Sequence, residues 1–195
     1  IPSQQCRLHL GNAGTALRPL TAALCLSKTG TYQIDGEPRM RQRPIGELVD
    51  ALRLMGAQIT YGDNEGYPPL HVTGSGLAGG QVTLGTTQSS QFITSLLMIG
   101  PYCEHDFFLR FDGDITSRAY VAMTICLMKI FGVDLECDQR LDEIKVPTSR
   151  YQAVTYDIEP DASSASYFLA AAALIPSRRC TNQGLGKNRL QGDVG

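Results

Sequence analysis

Apolar positions along the chain alternate between two spacings, and each predicts a different element. Ile45, Leu48, Val49, Leu52 and Met55 recur at intervals of three and four, the period of one helical face. They predict a helix over about 45–55, which Gly56 is placed to end as a left-handed cap. The apolar stretch that opens at Gly14 predicts an earlier helix over about 14–27. Tyr32-Gln-Ile, Gln58-Ile-Thr-Tyr, Leu70-His-Val-Thr and Gln81-Val-Thr-Leu read as strands, separated by Gly, Asn and Pro turns.

The pattern then recurs. Asn12-Ala-Gly-Thr-Ala-Leu-Arg-Pro-Leu, Gln88-Ser-Ser-Gln-Phe-Ile-Thr-Ser-Leu-Leu and Asp161-Ala-Ser-Ser-Ala-Ser-Tyr-Phe-Leu each open on small or hydroxyl residues and continue as an apolar helix. Gly14 to Ser89 is 75 residues and Ser89 to Ser163 is 74. A second landmark keeps the period: Arg43 to Arg118 is 75 and Gly56 to Gly132 is 76. Repeats of this length exceed the ~20–50 residues of solenoids. Each copy therefore reads as a small βαβαββ subdomain with helices against a sheet, in an α/β (α+β) fold holding about two and a half copies. Residues 1–159 are expected to form most of one domain. Residues 160–195 are expected to form the truncated start of a second, with Glu159-Pro160 as a hinge.

Composition narrows the function. Seventeen basic against 19 acidic residues leave a formal charge of −2 among 195, without the basic excess of a protein that tracks a phosphate backbone. No nucleic-acid partner is expected. No stretch approaches the ~18 apolar residues of a membrane span, and the first ten residues lack a signal-peptide core. Cys6, Cys25, Cys103, Cys126, Cys137 and Cys180 contain no CxxC pair, and His9, His71 and His105 have no ligand spacing. They read as buried free thiols in a reducing cytoplasm, with no metal site. Glycine, 20 of 195, exceeds the usual ~7% and points to tight turns or close backbone approaches.

The repeated helix openings are the first candidate chemistry. A helix start presents unpaired N–H groups and a partial positive charge, and small or hydroxyl residues let an anion approach it. Ordinary capping prefers the same residues. The second candidate is Glu37-Pro-Arg39-Met-Arg41-Gln-Arg43-Pro44. In an extended segment its three arginines point to one side, where they call for anions or carboxylates. Pairing with Glu37 and Glu47 in a solvated loop is the alternative. Asp114-Ile-Thr-Ser117-Arg118-Ala-Tyr120 adds a hydroxyl, a cation and a phenol before the equivalent helix of the second copy, where it also reads as a cap. GxSxG, HExxH and Walker sequences do not occur. The residues describe a receiving surface for a small, multiply anionic ligand.

Leu10-Gly-Asn-Ala-Gly-Thr-Ala-Leu-Arg-Pro19, Gly36-Glu-Pro-Arg-Met-Arg-Gln-Arg-Pro44, Ser89-Ser-Gln-Phe92, Ser117-Arg-Ala-Tyr120 and Asp161-Ala-Ser-Ser-Ala-Ser-Tyr167 together resemble the 5-enolpyruvylshikimate-3-phosphate (EPSP) synthase family. The resemblance runs along the whole chain in order. It implies two domains of three βαβαββ units closing on a cleft, an inside-out α/β barrel architecture. The implied reaction is that of a 3-phosphoshikimate 1-carboxyvinyltransferase of the shikimate pathway, which leads to chorismate and the aromatic amino acids. The enolpyruvyl group of phosphoenolpyruvate moves to the 5-hydroxyl of shikimate 3-phosphate and phosphate is released. The family's methylene carbon is protonated, the hydroxyl adds, and phosphate leaves as the methyl is deprotonated, with no metal or organic cofactor.

By matching positions, the resemblance implies that Gly14, Arg43 and Gln91 meet phosphoenolpyruvate. Gly14 also meets the herbicide glyphosate, which occupies the same place. Ser89, Ser90, Gln91, Ser117 and Tyr120 are implied for shikimate 3-phosphate. Asn12, Thr15, Arg18 and Asp161 fall in motifs near the cleft without an assigned step, and Asp161 also reads as a helix cap. The chain resembles an internal fragment, covering less than half of such an enzyme. The family's substrate-binding lysine falls before Ile1 and its acid–base carboxylates fall beyond Gly195, so no catalytic acid or base is assigned. The implied partners are the two substrates, for a monomeric cytoplasmic enzyme. The alternatives are the related UDP-N-acetylglucosamine enolpyruvyl transferase, which carries a cysteine-bearing active loop, and a non-catalytic anion- or RNA-binding module of the same fold.

Overall fold

The computed structural model describes residues 1, 3–86, 89–138, 140–176, 178–185 and 190. The chain divides into two compact bodies, Ile1–Gln152 and Ala153–Gly195. The first contains two copies of one topology. In the first copy, β1 (Gln5–His9), α1 (Gly14–Leu24), β2 (Thr31–Asp35), α2 (Gly46–Leu54), β3 (Gln58–Tyr61) and β4 (Leu70–Thr73) build a sheet of order β1-β2-β4-β3. In the second, β5 (Gly80–Leu84), α3 (Ser90–Ile99), β6 (Phe107–Phe111), α4 (Arg118–Ile130), β7 (Glu136–Cys137) and β8 (Glu143–Val146) build the same order, β5-β6-β8-β7. Each copy pairs its first two strands in parallel across a helix and adds an antiparallel hairpin. The repeat and its βαβαββ order are thus present. Both sheets are open, and no barrel closes among the described residues.

Alternation along the strands fixes which face each sheet buries. Tyr32, Ile34, Ile59, Leu70 and Val72 are buried from the first sheet, and Val82, Phe107, Leu109, Ile144 and Val146 from the second. They form one core with α1, α2 and α3, whose apolar faces include Leu17, Leu48, Leu52, Phe92, Ile93 and Leu96. Gly56 follows α2 at φ 102° and Gly132 follows α4 at φ 83°, the left-handed endings that glycine tolerates best. The first helix stops at Leu24 rather than near residue 27, because Leu26 and Ser27 donate to the carbonyls of Ala23 and Leu24 in tighter turns.

The link from Gly74 to Gly80 joins the copies and is stitched to both. Gly74, Gly76 and Ala78 donate backbone bonds to Gly30, Ser27 and Met55 of the first copy. Gly80 donates to Asp106, while the carbonyls of Leu77 and Ala78 receive Glu104 and His105 of the second. A Cβ at Gly74 would stand 2.5 Å from the Thr29 carbonyl oxygen, and one at Gly79 would stand 2.4 Å from that of His105.

The arginine segment departs from the extended reading. Met40–Gln42 is a 3-10 turn, so the three side chains are dispersed. Arg39 donates to Gln42 at 3.0 Å. Arg41 does not pair with Glu37 or Glu47 but bridges Asp35 and Asp63, tying the end of β2 to the β3–β4 loop. Burial alone would raise the Asp35 carboxyl. The Arg41 hydrogen bonds, the Gly36 N–H and the charges of Arg41 and His9 outweigh it and hold the group below its ordinary value. A carboxyl lowered by folding stabilises the native state above its unfolded pKa and loses that contribution as pH falls through its folded pKa. The stability gap between the protein and Asp35→Asn is therefore expected to be larger at pH 7 than at pH 3, where it shrinks as the carboxyl takes up its proton. Urea unfolding at the two pH values checks this, and an equal gap at both would contradict it.

The second body carries α5 (Ala162–Leu174). Asp161 caps it, accepting from the Ser163 N–H at 3.0 Å and from the Ser164 hydroxyl. The Ser164 bond is the main reason the Asp161 carboxyl sits below its ordinary value.

Candidate functional site

Three helix starts converge in the first body. Thr15 and Pro19 of α1, Ser89 and Ser90 with Gln91 and Thr94 at the start of α3, and Thr116, Ser117 and Tyr120 at the start of α4 line one cleft of about 610 Å³. Met98, Met123 and Thr124 complete its wall. The structure thus gathers Thr15, Ser89, Ser90, Gln91, Ser117 and Tyr120, residues that lie far apart in sequence. The opening joined to those of α1 and α3 is that of α4. The Asp161 opening lies in the other body. Gln88, which begins the motif before α3, lies outside the described residues.

The helix starts are locally different. Ser89 is an extended N-cap whose hydroxyl accepts from the Gln91 N–H at 3.3 Å. Ser117 caps α4 from the left-handed region, φ 53° and ψ 52°, and its side chain makes no capping bond. A non-glycine residue there costs roughly 1–3 kcal/mol, which directs attention to what its hydroxyl faces. Pro19 lies inside α1. It has no N–H, so the Thr15 carbonyl receives no helical bond from it, and both residues stand at the cleft. Thr94, Ser95 and Thr124 instead donate to carbonyls one turn back, those of Ser90, Gln91 and Tyr120. Such bonds settle the hydroxyl protons within the helices.

Two arginines stand near the start of α1, but neither they nor Asn12 and Gly14 are among the residues that line the cleft. The Arg43 Nη1 donates to the Asn12 carbonyl at 3.3 Å, and its guanidinium lies against Gly14. A Cβ on Gly14 would stand 2.7 Å from Nη1. Gly14 is small here because a cation lies over it, and its φ is not in the left-handed region. Arg18 is buried at 7% exposure, with its Cζ 5.2 Å from the centre of the Phe92 ring. Its Nη1 donates to the Gln91 Oε1. Burial, and then the charge of Arg43, pull the Arg18 guanidinium below its ordinary value. Among the described residues, neither arginine makes an ion pair. Two neighbouring cations without a carboxylate, beside oriented helix starts, form a local positive field suited to anions.

Most of the residues that line this cleft fall within the sequence motifs. The motifs do not single out Thr94 or Thr124, because threonines on apolar helices carry no distinguishing local pattern, nor Thr116, which stands just before the Ser117 cap inside one of them. They also do not reveal that Arg18 and Gln91 meet across 73 residues. A second depression of about 560 Å³ lies on β1, β2 and β4 and involves Arg7, Gln33 and His71, but none of the expected site residues lines it. Among the described residues, no group of three or more His, Cys, Asp or Glu is placed to hold a metal ion, and no helix is long and apolar enough to cross a membrane.

Comparison with known proteins bears on this geometry. The family model described as EPSP synthase (3-phosphoshikimate 1-carboxyvinyltransferase) matches residues 1–195. The 3-phosphoshikimate 1-carboxyvinyltransferase of Photobacterium profundum is 51% identical over 194 residues, covering 98% of this chain and 45% of the relative. That of Photorhabdus laumondii is 52% identical over 188 residues, covering 96% and 43%. The solved EPSP synthase of Acinetobacter baumannii superposes with a TM-score of 0.70 at 26% identity, over 86% of this chain and 36% of that one. The chain spans less than half the length of the relatives it matches.

Proposed function

The chain belongs to the EPSP synthase family, and from that premise we propose that its cleft receives shikimate 3-phosphate with phosphoenolpyruvate alongside. The observation that carries this reading is the gathering of Ser89, Ser90, Gln91, Ser117 and Tyr120 on one cleft, with Arg43 held over Gly14, the residue before the cleft-lining Thr15. The hydroxyls of Ser89, Ser90 and Ser117 and the first N–H groups of α3 hold the phosphate of shikimate 3-phosphate. Tyr120 flanks that ligand. Gln91 stands between the two substrates. Arg43 binds phosphoenolpyruvate through its planar fork, in the place that glyphosate also takes, and Asn12 and Thr15 border it.

In the whole enzyme these groups bind and orient the substrates for enolpyruvyl transfer, in a cytoplasmic monomer that uses no metal, organic cofactor or nucleic acid. A general acid or base must lie ~3 Å from the proton or one water away, and no Asp, Glu, His or Lys is among the residues that line the cleft, so no proton-transfer step is assigned to these residues. The 195 residues alone are expected to bind shikimate 3-phosphate weakly and to release no phosphate from the substrate pair. Calorimetry with shikimate 3-phosphate, single-stranded RNA and a UDP-aminosugar tests the reading. Binding of either alternative without binding of shikimate 3-phosphate would overturn it, as would turnover by the chain alone.

Gly14→Ala separates folding from binding. The atoms nearest the new methyl are all at the end of a flexible arginine, so stability is expected within about 1 kcal/mol of the parent. Arg43 must move, and the affinity of a full-length chain carrying this segment for phosphoenolpyruvate and glyphosate is expected to fall. Unchanged affinity for both would contradict the close approach.

A further inference from the structure

We propose that Arg18 is a positioning residue: it holds the Gln91 amide by its oxygen and so turns the NH₂ group toward the cleft as a donor to an organic phosphate. The proposal rests on the functional reading above and assigns Arg18 a task within it.

The geometry leaves little choice of orientation. A guanidinium has only donors, and a glutamine amide has an acceptor at one end and donors at the other. With Arg18 Nη1 on Oε1, the nitrogen is the end left for a ligand between α1 and α3. A glutamine without this anchor can present either end, and its carbonyl would repel a phosphate. Arg18 is itself fixed. It is buried, stacks over Phe92, the next residue of α3, and projects from a helix packed against α3. Burial of a cation without a carboxylate opposes folding, so the arrangement is not explained by stability alone. Arg18 acts through Gln91, whereas Arg43 lies at the ligand's own place.

Two measurements on the ¹⁵N-labelled 195-residue chain test this. The first follows the Gln91 side-chain NH₂ signals without ligand, identified by their loss in Gln91→Glu. They are expected to shift and approach averaged values in Arg18→Met. In Arg18→Lys, which keeps charge and most packing but loses the fork, they are expected to shift as well. Unmoved signals in both variants would overturn the proposal, whether or not any ligand binds. The second is a double-mutant cycle on shikimate 3-phosphate affinity. Arg18→Met is expected to weaken binding roughly tenfold. In a Gln91→Ala background the same change is expected to weaken it less than about twofold, because the amide it positions is gone. An equal loss in both backgrounds would show that Arg18 acts by charge alone and would overturn the proposal. Should the parent chain fail to bind shikimate 3-phosphate, the functional reading falls, while the Gln91 signals still decide the role of Arg18.

Discussion

Replacing Arg43 by alanine in a full-length chain carrying these residues is expected to cost about 2–4 kcal/mol of transition-state stabilisation. At 1.36 kcal/mol per decade this is roughly a 30- to 900-fold loss in kcat/KM for phosphoenolpyruvate. The size follows from the environment. Arg43 has no ion-pair partner among the described residues, lies over Gly14 and uses one donor on the Asn12 carbonyl, which leaves most of its fork for a ligand. Arg41 is the internal control. It stands two positions away but bridges Asp35 and Asp63, so Arg41→Ala is expected to leave kcat/KM within about twofold while removing a surface tie. Steady-state kinetics of both variants decide the matter. Equal behaviour, or an unchanged value for Arg43→Ala, would make Arg43 an ordinary surface charge.

Phe107→Ala is expected to destabilise the first body by about 3–5 kcal/mol. Phe107 is fully buried on an interior strand, between Gly80 of β5 and Val146 of β8. The packing above it leaves no slack. A Cβ on Gly100 would stand 3.2 Å from the Phe107 ring and 2.9 Å from Val146, so truncation leaves a cavity that its neighbours fill only in part. A loss of this size is a large fraction of the ~5–15 kcal/mol that holds an ordinary protein folded. Phe108, one residue on, points to the opposite face and is only half-buried. Phe108→Ala is expected to cost less than half as much. Urea midpoints of the two variants measure the difference, and a Phe107→Ala cost below about 1 kcal/mol would contradict the packing.

The architecture was legible wherever one residue type had one local consequence. Gly56 and Gly132 end helices with φ values only glycine holds easily, and their spacing carried the repeat. The strand runs at Gln58, Leu70 and Gln81 keep their boundaries within one residue because each is bounded by turn residues. The arginine segment is ambiguous in sequence because alternate charges look alike in an extended strand and in a 3-10 turn, and the backbone bond from Arg43 to Met40 decides between them. The small size of Gly14 was legible, but its reason in the fold is Arg43, which approaches from 29 residues later. The Arg18–Gln91 bond depends on helix packing between copies, and no local pattern encodes such a distance.

The glycine-rich link from Gly74 to Gly80 has a mechanical consequence. Glycines between two similar halves usually read as a pivot. Here the link bonds alternately to Ser27, Gly30 and Met55 on one side and to Glu104, His105 and Asp106 on the other, with Leu77 buried between them. The glycines serve close contact, and the joint behaves as a weld. Bending it would break several backbone bonds at once and would open the core that the two sheets share. Arg43 from one half and Gln91 from the other are therefore carried by one body with a single shared core.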